Sequence, residues 1–395
     1  MKQDEAHIPF LDHMRGAAIL LVFFYHSVFV SFWFSRQFVE LTWDGLVRDL
    51  NASKSLLAVL PATVGWSGVA IFFVVSGFCI HLSHERSRGK SLKVFFLRRF
   101  FRIYPPYLLT LLGFAAVYPL SHSEFADPFG QIVSHLFLVH NFSETFHTGI
   151  NASLWSIAVE VQLYALYPLL HWLATRLGWY GTLWVTALVE IGFRGAEGIV
   201  LLYRPDWWNP AVNFSWWYSE APLTFWFSWT MGAALADAYL NGRPLPFRNV
   251  SGFLWPSLFI LCYLFKPFYP FCFTLAALTS TYLISDLLSR PTLAFPSKGW
   301  LGLVLDHLRR TGIVSYSAYL IHAPILSQVP KVVTALFRGH VFPPLILYGF
   351  CLCSWPLVFA LAHLLYRSVE LPSIAFGKRV IARSRGTPQP DGQMA

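Results

Sequence analysis

Ten residues separate Arg15 from His26 at the head of GAAILLVFFYHSVFVSFWF, an apolar run of helical length. A helix rises about 1.5 Å and turns about 100° per residue, so His26 lies roughly 16 Å beyond Arg15 and on nearly the same face. With Arg15 at one surface of a hydrocarbon core about 30 Å thick, His26 sits near its middle. An ionisable group at that depth is by default a functional-site hypothesis, and imidazole is the side chain best suited to act as a general base near neutrality. Its structural alternative is a hydrogen bond to another helix. Arg15 is either a surface anchor or part of a site, and Asp12, three residues earlier, can pair with it and fix its direction.

Other groups approach the same depth. In NASLWSIAVEVQLYALYPLL, residues 151–170, Asn151 or Ser153 can cap a helix entering from the opposite surface, which puts Glu160 roughly 10–13 Å deep. A carboxylate there must be protonated, paired or in water; a tie to Arg or His is the structural alternative. Tyr164 and Tyr167, at i+4 and i+7, add hydroxyl donors to that face. In RRFFRIYPPY, residues 98–107, Arg99 and Arg102 share a face with Arg98 beside them and Tyr104 at the interface. Such a pair is either a phosphate clamp or a charge cluster that fixes topology. In GIVSYSAYLIHAPI, residues 312–325, His322 lies roughly 15 Å from the start and Pro324 loosens the helix beyond it. A structural and a functional role are both open for His322. Glu190 and Arg194, at i and i+4, are expected to neutralise one another.

These residues need membrane-spanning elements to hold them. The 395 residues are 55% hydrophobic and 12% charged, against about 25% charged for soluble domains, which implies an all-α polytopic membrane protein. Apolar runs predict spans near 16–34, 62–82, 103–120, 152–174, 180–202, 217–240, 252–265, 268–288, 313–333 and 342–366, a bundle of about ten transmembrane helices with no soluble domain. The 252–288 region, broken by Lys266-Pro267 and Pro270, is open to a different arrangement, and QIVSHLFLVH at 131–140 is too short to span. Residues 1–370 form the integral membrane domain and 371–395 a short basic and polar tail, whose end, SRGTPQPDGQMA, is expected to be disordered. The start, MKQDEAHIPFLDHMRG, is polar and leads into an uncleaved helix, so no detachable signal peptide is expected.

Charge sets the orientation. Residues 83–102 carry seven Lys or Arg and residues 121–151 carry none, which places both termini on the cytoplasmic side. The formal charge of +9 is spread over span ends rather than gathered in one patch, which fits anionic lipids and not nucleic acid. Cys79, Cys262, Cys272, Cys351 and Cys353 lie in apolar segments without CxxC spacing and read as small core residues. No metal is expected. The aromatic stretch WWNPAVNFSWWYSE, residues 207–220, is an interfacial belt or a platform for sugar rings. No repeat points to the inverted halves of a transporter.

Taken in order, these segments resemble the membrane-bound acyltransferase-3 family, which O-acylates surface polysaccharides and other carbohydrates. LDHMRGAAILLVFFYH matches the family opening LDGLRGIAxxxVxxxH, including the spacing of Arg15 and His26. FFVVSGFCI matches its FFxLSGFLI span, Arg99-x-x-Arg102 its RxxR motif, and SLWSIAVEVQLYALYP its LWSLSVExQFYLxYP helix. SYSAYLIHAPI and YRSVELPSIAFGKR resemble the closing spans and tail. His13 and Met14 replace Gly-Leu, and Val161 stands where many members carry a second acidic residue. No counterpart of the fused extracytoplasmic hydrolase-like domain of some members is expected.

The resemblance implies a multi-pass protein of the bacterial cytoplasmic membrane. It implies an acyl-CoA co-substrate, in the first instance acetyl-CoA, at the cytoplasmic face, no other cofactor, and a carbohydrate or lipid-linked glycan as acceptor. Arg98, Arg99 and Arg102 would hold the donor, and His26 would be the general base. Glu160 would orient His26 or stabilise its imidazolium, and Arg15 would bind the donor or polarise its carbonyl. Asp12, Tyr164 and His322 are candidates to line the site. Transfer is either direct or through an acyl-histidine. The rival reading is a proton-coupled transporter that uses His26 and Glu160; the missing repeat and the paired arginines speak against it.

Overall fold

The computed structural model describes residues 8–35, 58–87, 91–121, 127–143, 145–147, 149–203, 219–245, 251–290 and 298–384. Among these, every regular element is helical: α1 Phe10–Phe34, α2 Gly68–Glu85, α3 Leu92–Ser121, α4 Pro128–Leu136, α5 Trp155–Tyr203, α6 Trp226–Leu240, α7 Leu254–Leu264, α8 Cys272–Ser289, α9 Gly299–Ile313, α10 Ser315–Leu336, α11 Pro344–Cys353, α12 Trp355–Leu365 and α13 Leu371–Ser384. A 3-10 turn, Gly65–Ser67, leads into α2 and another, Lys266–Phe271, into α8.

Five described stretches are long and apolar enough to cross a membrane: Phe10–Phe34, Gly65–Glu85, Leu92–Val117, Lys266–Ser289 and Pro344–Ser384. The expected count of about ten is therefore not reached by length and composition. The reason is local. α6 and α7 have 15 and 11 residues, short of the about 20 a span requires, while α5 carries Glu160, Glu190, Arg194 and Glu197 in one 49-residue run. The two spans expected at 152–174 and 180–202 are the two parts of α5, divided at Gly178, where φ is 68° and ψ 171°. Side chains with a Cβ rarely enter that backbone region, so glycine makes the break.

Two helix pairs are joined through glycine. A methyl on Gly77 of α2 would overlap the Trp229 carbonyl oxygen of α6, and one on Gly232 would overlap that of Val74. The same reciprocal contact joins α1 and α9, where Gly16 meets the Leu308 carbonyl and Gly312 that of Asp12. Small residues let backbones approach closely, which is how helices associate without a hydrophobic drive between them. The sequence reading treats 289–312 as a loop, yet Gly299–Ile313 is this docked helix. Mixed polar and apolar composition hides it from a search for wholly apolar runs.

Further differences follow the same logic. α3 begins at Leu92 rather than near 103, because backbone hydrogen bonding continues through the basic entry. Leu371–Ser384, expected as tail, is helical and follows a π-turn, Tyr366–Glu370; the polar end 385–395 and the aromatic residues 207–218 lie outside the described residues. Of the 131–140 stretch, residues 131–136 lie in the short α4 and His140 opens a 3-10 turn, His140–Phe142.

Glu190 and Arg194 form the expected pair and more. Glu190 Oε1 lies 3.5 Å from Arg194 Nε and accepts hydrogen bonds from Ser228 and Thr274, while Arg194 donates to Thr274 and the Thr224 carbonyl. The guanidinium also packs against Phe225 and Phe273, 5.1 Å from each ring centre. A buried charge pair so fully hydrogen-bonded ties α5 to α6 and α8. Neither residue lines the cavity described next.

Candidate functional site

A cavity opens where α1, α2, α3, α5 and α10 converge, with about 720 Å³ of empty space including its mouth. Arg15, Arg99 and Arg102 line it, with Glu160 as the one carboxylate on its wall among the described residues. Asp12 steers Arg15 by a 3.3 Å contact with Nη1, and Arg15 Nη2 donates to Cys79 Sγ at 3.1 Å. Cys79 is thus a half-buried cavity residue rather than core, and Cys353 is exposed. Arg99 rests against Phe95, 5.8 Å from its ring centre, and its Nε is buried without a hydrogen bond. Arg98 is absent from the lining. Helical spacing explains this: positions 99 and 102 share a face that 98 does not.

Glu160 is held by its own wall. Ser76 Oγ donates to Oε1 at 2.6 Å and Tyr164 OH donates to the same oxygen at 2.5 Å. Trp229 Nε1 in turn donates to Ser76 Oγ at 3.3 Å. Tyr164 therefore belongs to the cavity, whereas Tyr167 turns away and bonds His81 Nδ1 at 3.0 Å. Three guanidiniums facing one hydrogen-bonded carboxylate leave the cavity an excess of positive charge and of unused donors, suited to an elongated anion.

His26 and His322 meet each other, not Glu160. His322 Nε2 lies 3.0 Å from His26 Nδ1, and His322 Nδ1 lies 2.8 Å from the Tyr319 carbonyl oxygen. A carbonyl oxygen only accepts, so the neutral His322 carries its proton on Nδ1 and offers the Nε2 lone pair to the Nδ1–H of His26. That assignment leaves a lone pair on Nε2 of His26, the atom a general base needs. His322 is fully buried and His26 half-buried.

Tyr319 connects the two parts. Its ring lines the cavity beside Phe72, its hydroxyl is 2.7 Å from Ser156 Oγ, and its carbonyl anchors His322. Asn151 reinforces this helix by donating to the Leu320 carbonyl at 2.8 Å. Tyr316, Tyr319 and His322 recur at three-residue steps, a single-face pattern present in SYSAYLIH that pointed to Tyr319 had it been followed beyond the histidine. Ser76 and Glu370 had no such signal. Glu370, in the π-turn, is buried, accepts from Ser317 Oγ at 2.7 Å and lies within electrostatic reach of Arg102.

A family profile described as an acyltransferase domain matches residues 8–365. A peptidoglycan O-acetyltransferase of Listeria monocytogenes is 25% identical over 394 residues, covering 93% of this chain and 56% of the relative. An acyltransferase of Streptomyces mycarofaciens is 31% identical over 177 residues, 43% of this chain and 41% of the relative. The chain spans about half the length of the curated relatives it matches. No solved structure matches it. With its motifs in family order and nearly its whole length matched, the chain belongs to the acyltransferase-3 family.

Proposed function

We propose that the protein is a membrane O-acyltransferase that moves an acyl group, acetyl in the first instance, from acyl-CoA to a carbohydrate hydroxyl. One observation carries the reading: a cavity with three guanidiniums is lined by Tyr319, whose carbonyl anchors a histidine pair that leaves a lone pair on His26. Arg99 and Arg102, with Arg15, hold the donor's phosphates by charge-assisted hydrogen bonds. His322 is a positioning residue that keeps the His26 lone pair on Nε2. His26 takes the proton of the acceptor hydroxyl as its oxygen attacks the thioester carbon, because an unactivated alcohol is a poor nucleophile at neutral pH. The carbon–sulfur bond then breaks, and the departing thiolate recovers that proton from the imidazolium. The printed name of the Listeria relative supports a glycan acceptor, and the basic lead of α3 supports a cytoplasmic donor side in a bacterial membrane.

Membrane vesicles carrying the protein and supplied with labelled acetyl-CoA are expected to transfer label to glycan. A folded His26→Ala protein should lose transfer by about 100-fold or more, the range of a missing general base. Undiminished transfer removes His26 from the mechanism.

A further inference from the structure

We propose that His84, Glu85 and His171 form a binding site for a divalent transition-metal ion that joins α2 to α5. Three donor atoms, one from each residue, all lie within 4.8 Å of one another. His171 Nε2 is 3.4 Å from Glu85 Oε1, and the His84 and His171 rings are centred 5.5 Å apart. In a tetrahedral zinc site with bonds near 2.0–2.1 Å, neighbouring donors sit about 3.3 Å apart. The remaining contraction is within the reach of side-chain torsions in a long carboxylate and two imidazoles.

The donor set argues for an ion over a plain His–Glu contact. An ion pair uses one imidazole and one carboxylate, whereas here a second imidazole converges on the same point from α2. Two His nitrogens and one carboxylate oxygen suit zinc and its neighbours rather than magnesium or calcium, which prefer oxygen alone. His84 and Glu85 close the last turn of α2, where the helix dipole favours a cation. His84 is buried against Phe95 and Tyr167, with ring centres 5.9 and 5.1 Å away, while Glu85 and His171 are half-buried and leave a path for an ion.

The place in the fold gives the site a reach beyond its ligands. Phe95, which packs on His84, also carries the Arg99 guanidinium on its face. An ion at this point fixes His84, hence Phe95, hence one wall of the cavity. This coupling, though not the metal site itself, rests on the donor-binding role given to Arg99 above.

The untagged full chain in detergent micelles, stripped with a chelator, can be titrated with Zn2+ and with Co2+. The expected result is one tightly bound equivalent, visible Co2+ absorption of a four-coordinate nitrogen–oxygen site, and a Zn2+-dependent rise in melting temperature. His171→Ala and Glu85→Gln should each weaken binding at least tenfold, while His340→Ala, remote in sequence, should bind as the parent does. Equal binding by the parent and by a folded His171→Ala protein, or no binding by the parent, overturns the site. Glu85→Gln keeps the test open if the histidine variants fail to fold. Donor affinity is read separately as the KM for acetyl-CoA with and without Zn2+; an unchanged KM with intact binding refutes the coupling to Arg99 and leaves the site standing.

Discussion

At the scale of single residues, the proposed reaction turns on the histidine pair. One imidazole with two nitrogens is ambiguous in tautomer, and the Tyr319 carbonyl resolves it by fixing His322, which fixes His26 in turn. The consequence is testable because His322 touches neither reactant in the proposed reaction. His322→Ala should lower kcat by about tenfold or more, at least ~1.4 kcal/mol of transition-state stabilisation, and leave the KM for acetyl-CoA nearly unchanged. His322→Asn, whose side chain can accept from His26 Nδ1, should recover part of that loss. A large rise in donor KM with constant kcat would instead put His322 in binding. Glu160 Oε1 accepts from Ser76 and Tyr164 on the cavity wall, while the hydrogen bond of His26 goes to His322.

Between elements, contacts without side chains hold the site open. The Gly77–Gly232 contact sets the distance from α2 to α6, and Ser76, next to Gly77, carries the hydrogen bond to Glu160. Gly232→Ala places a methyl against the Val74 carbonyl, with no flexible side chain to move aside. Overpacking of this kind costs about 1–3 kcal/mol, so a lower melting temperature in micelles and reduced acetyl transfer are expected together. Gly113→Ala is the control, since nothing lies within 4 Å of the added carbon. A Gly232→Ala protein as stable and active as the control would show that this contact has slack. The same backbone approach between Gly16 and Gly312 explains why Arg15 is followed by glycine: the residue beside the cavity arginine must let α9 dock.

Across the whole molecule, the segment between α3 and α5 is tied to the lead of α6 by the buried contact of His147 with Glu220 and by a hydrogen bond from Asn141 Nδ2 to the Glu220 carbonyl. His147 Nε2 lies 2.7 Å from Glu220 Oε1. Burial opposes charging His147, but the Glu220 carboxylate outweighs it and holds the imidazole above its ordinary pKa; burial likewise raises Glu220. A group whose folded pKa is raised gives stability that is whole below its unfolded pKa and fades as pH climbs through the folded one. The melting-temperature advantage of the parent over His147→Gln should thus be greatest near pH 6 and shrink as pH rises above neutrality. His135, brought down to about 4 chiefly by burial, and His140, lowered likewise, have the opposite slope in both proteins, and each also feels the charge on His147. A gap constant with pH would show that the pair is not ionised.

The sequence by itself determined the membrane class, the family and most of the residues that the structure gathers: Arg15, Arg99, Arg102 and Glu160 on the cavity wall and His322 beside His26 were legible because charge in an apolar run is costly and helical spacing assigns it a face. The pairing of Glu190 with Arg194 was legible too, since it follows from position along one helix. Only the tertiary structure decided which of these groups meet. The rotation of one helix against another depends on contacts such as Gly77 with Trp229 and Gly16 with Leu308, and no spacing along a single helix encodes it. That rotation turned His26 to His322 rather than Glu160, and brought Tyr319 and Ser76 onto the cavity wall.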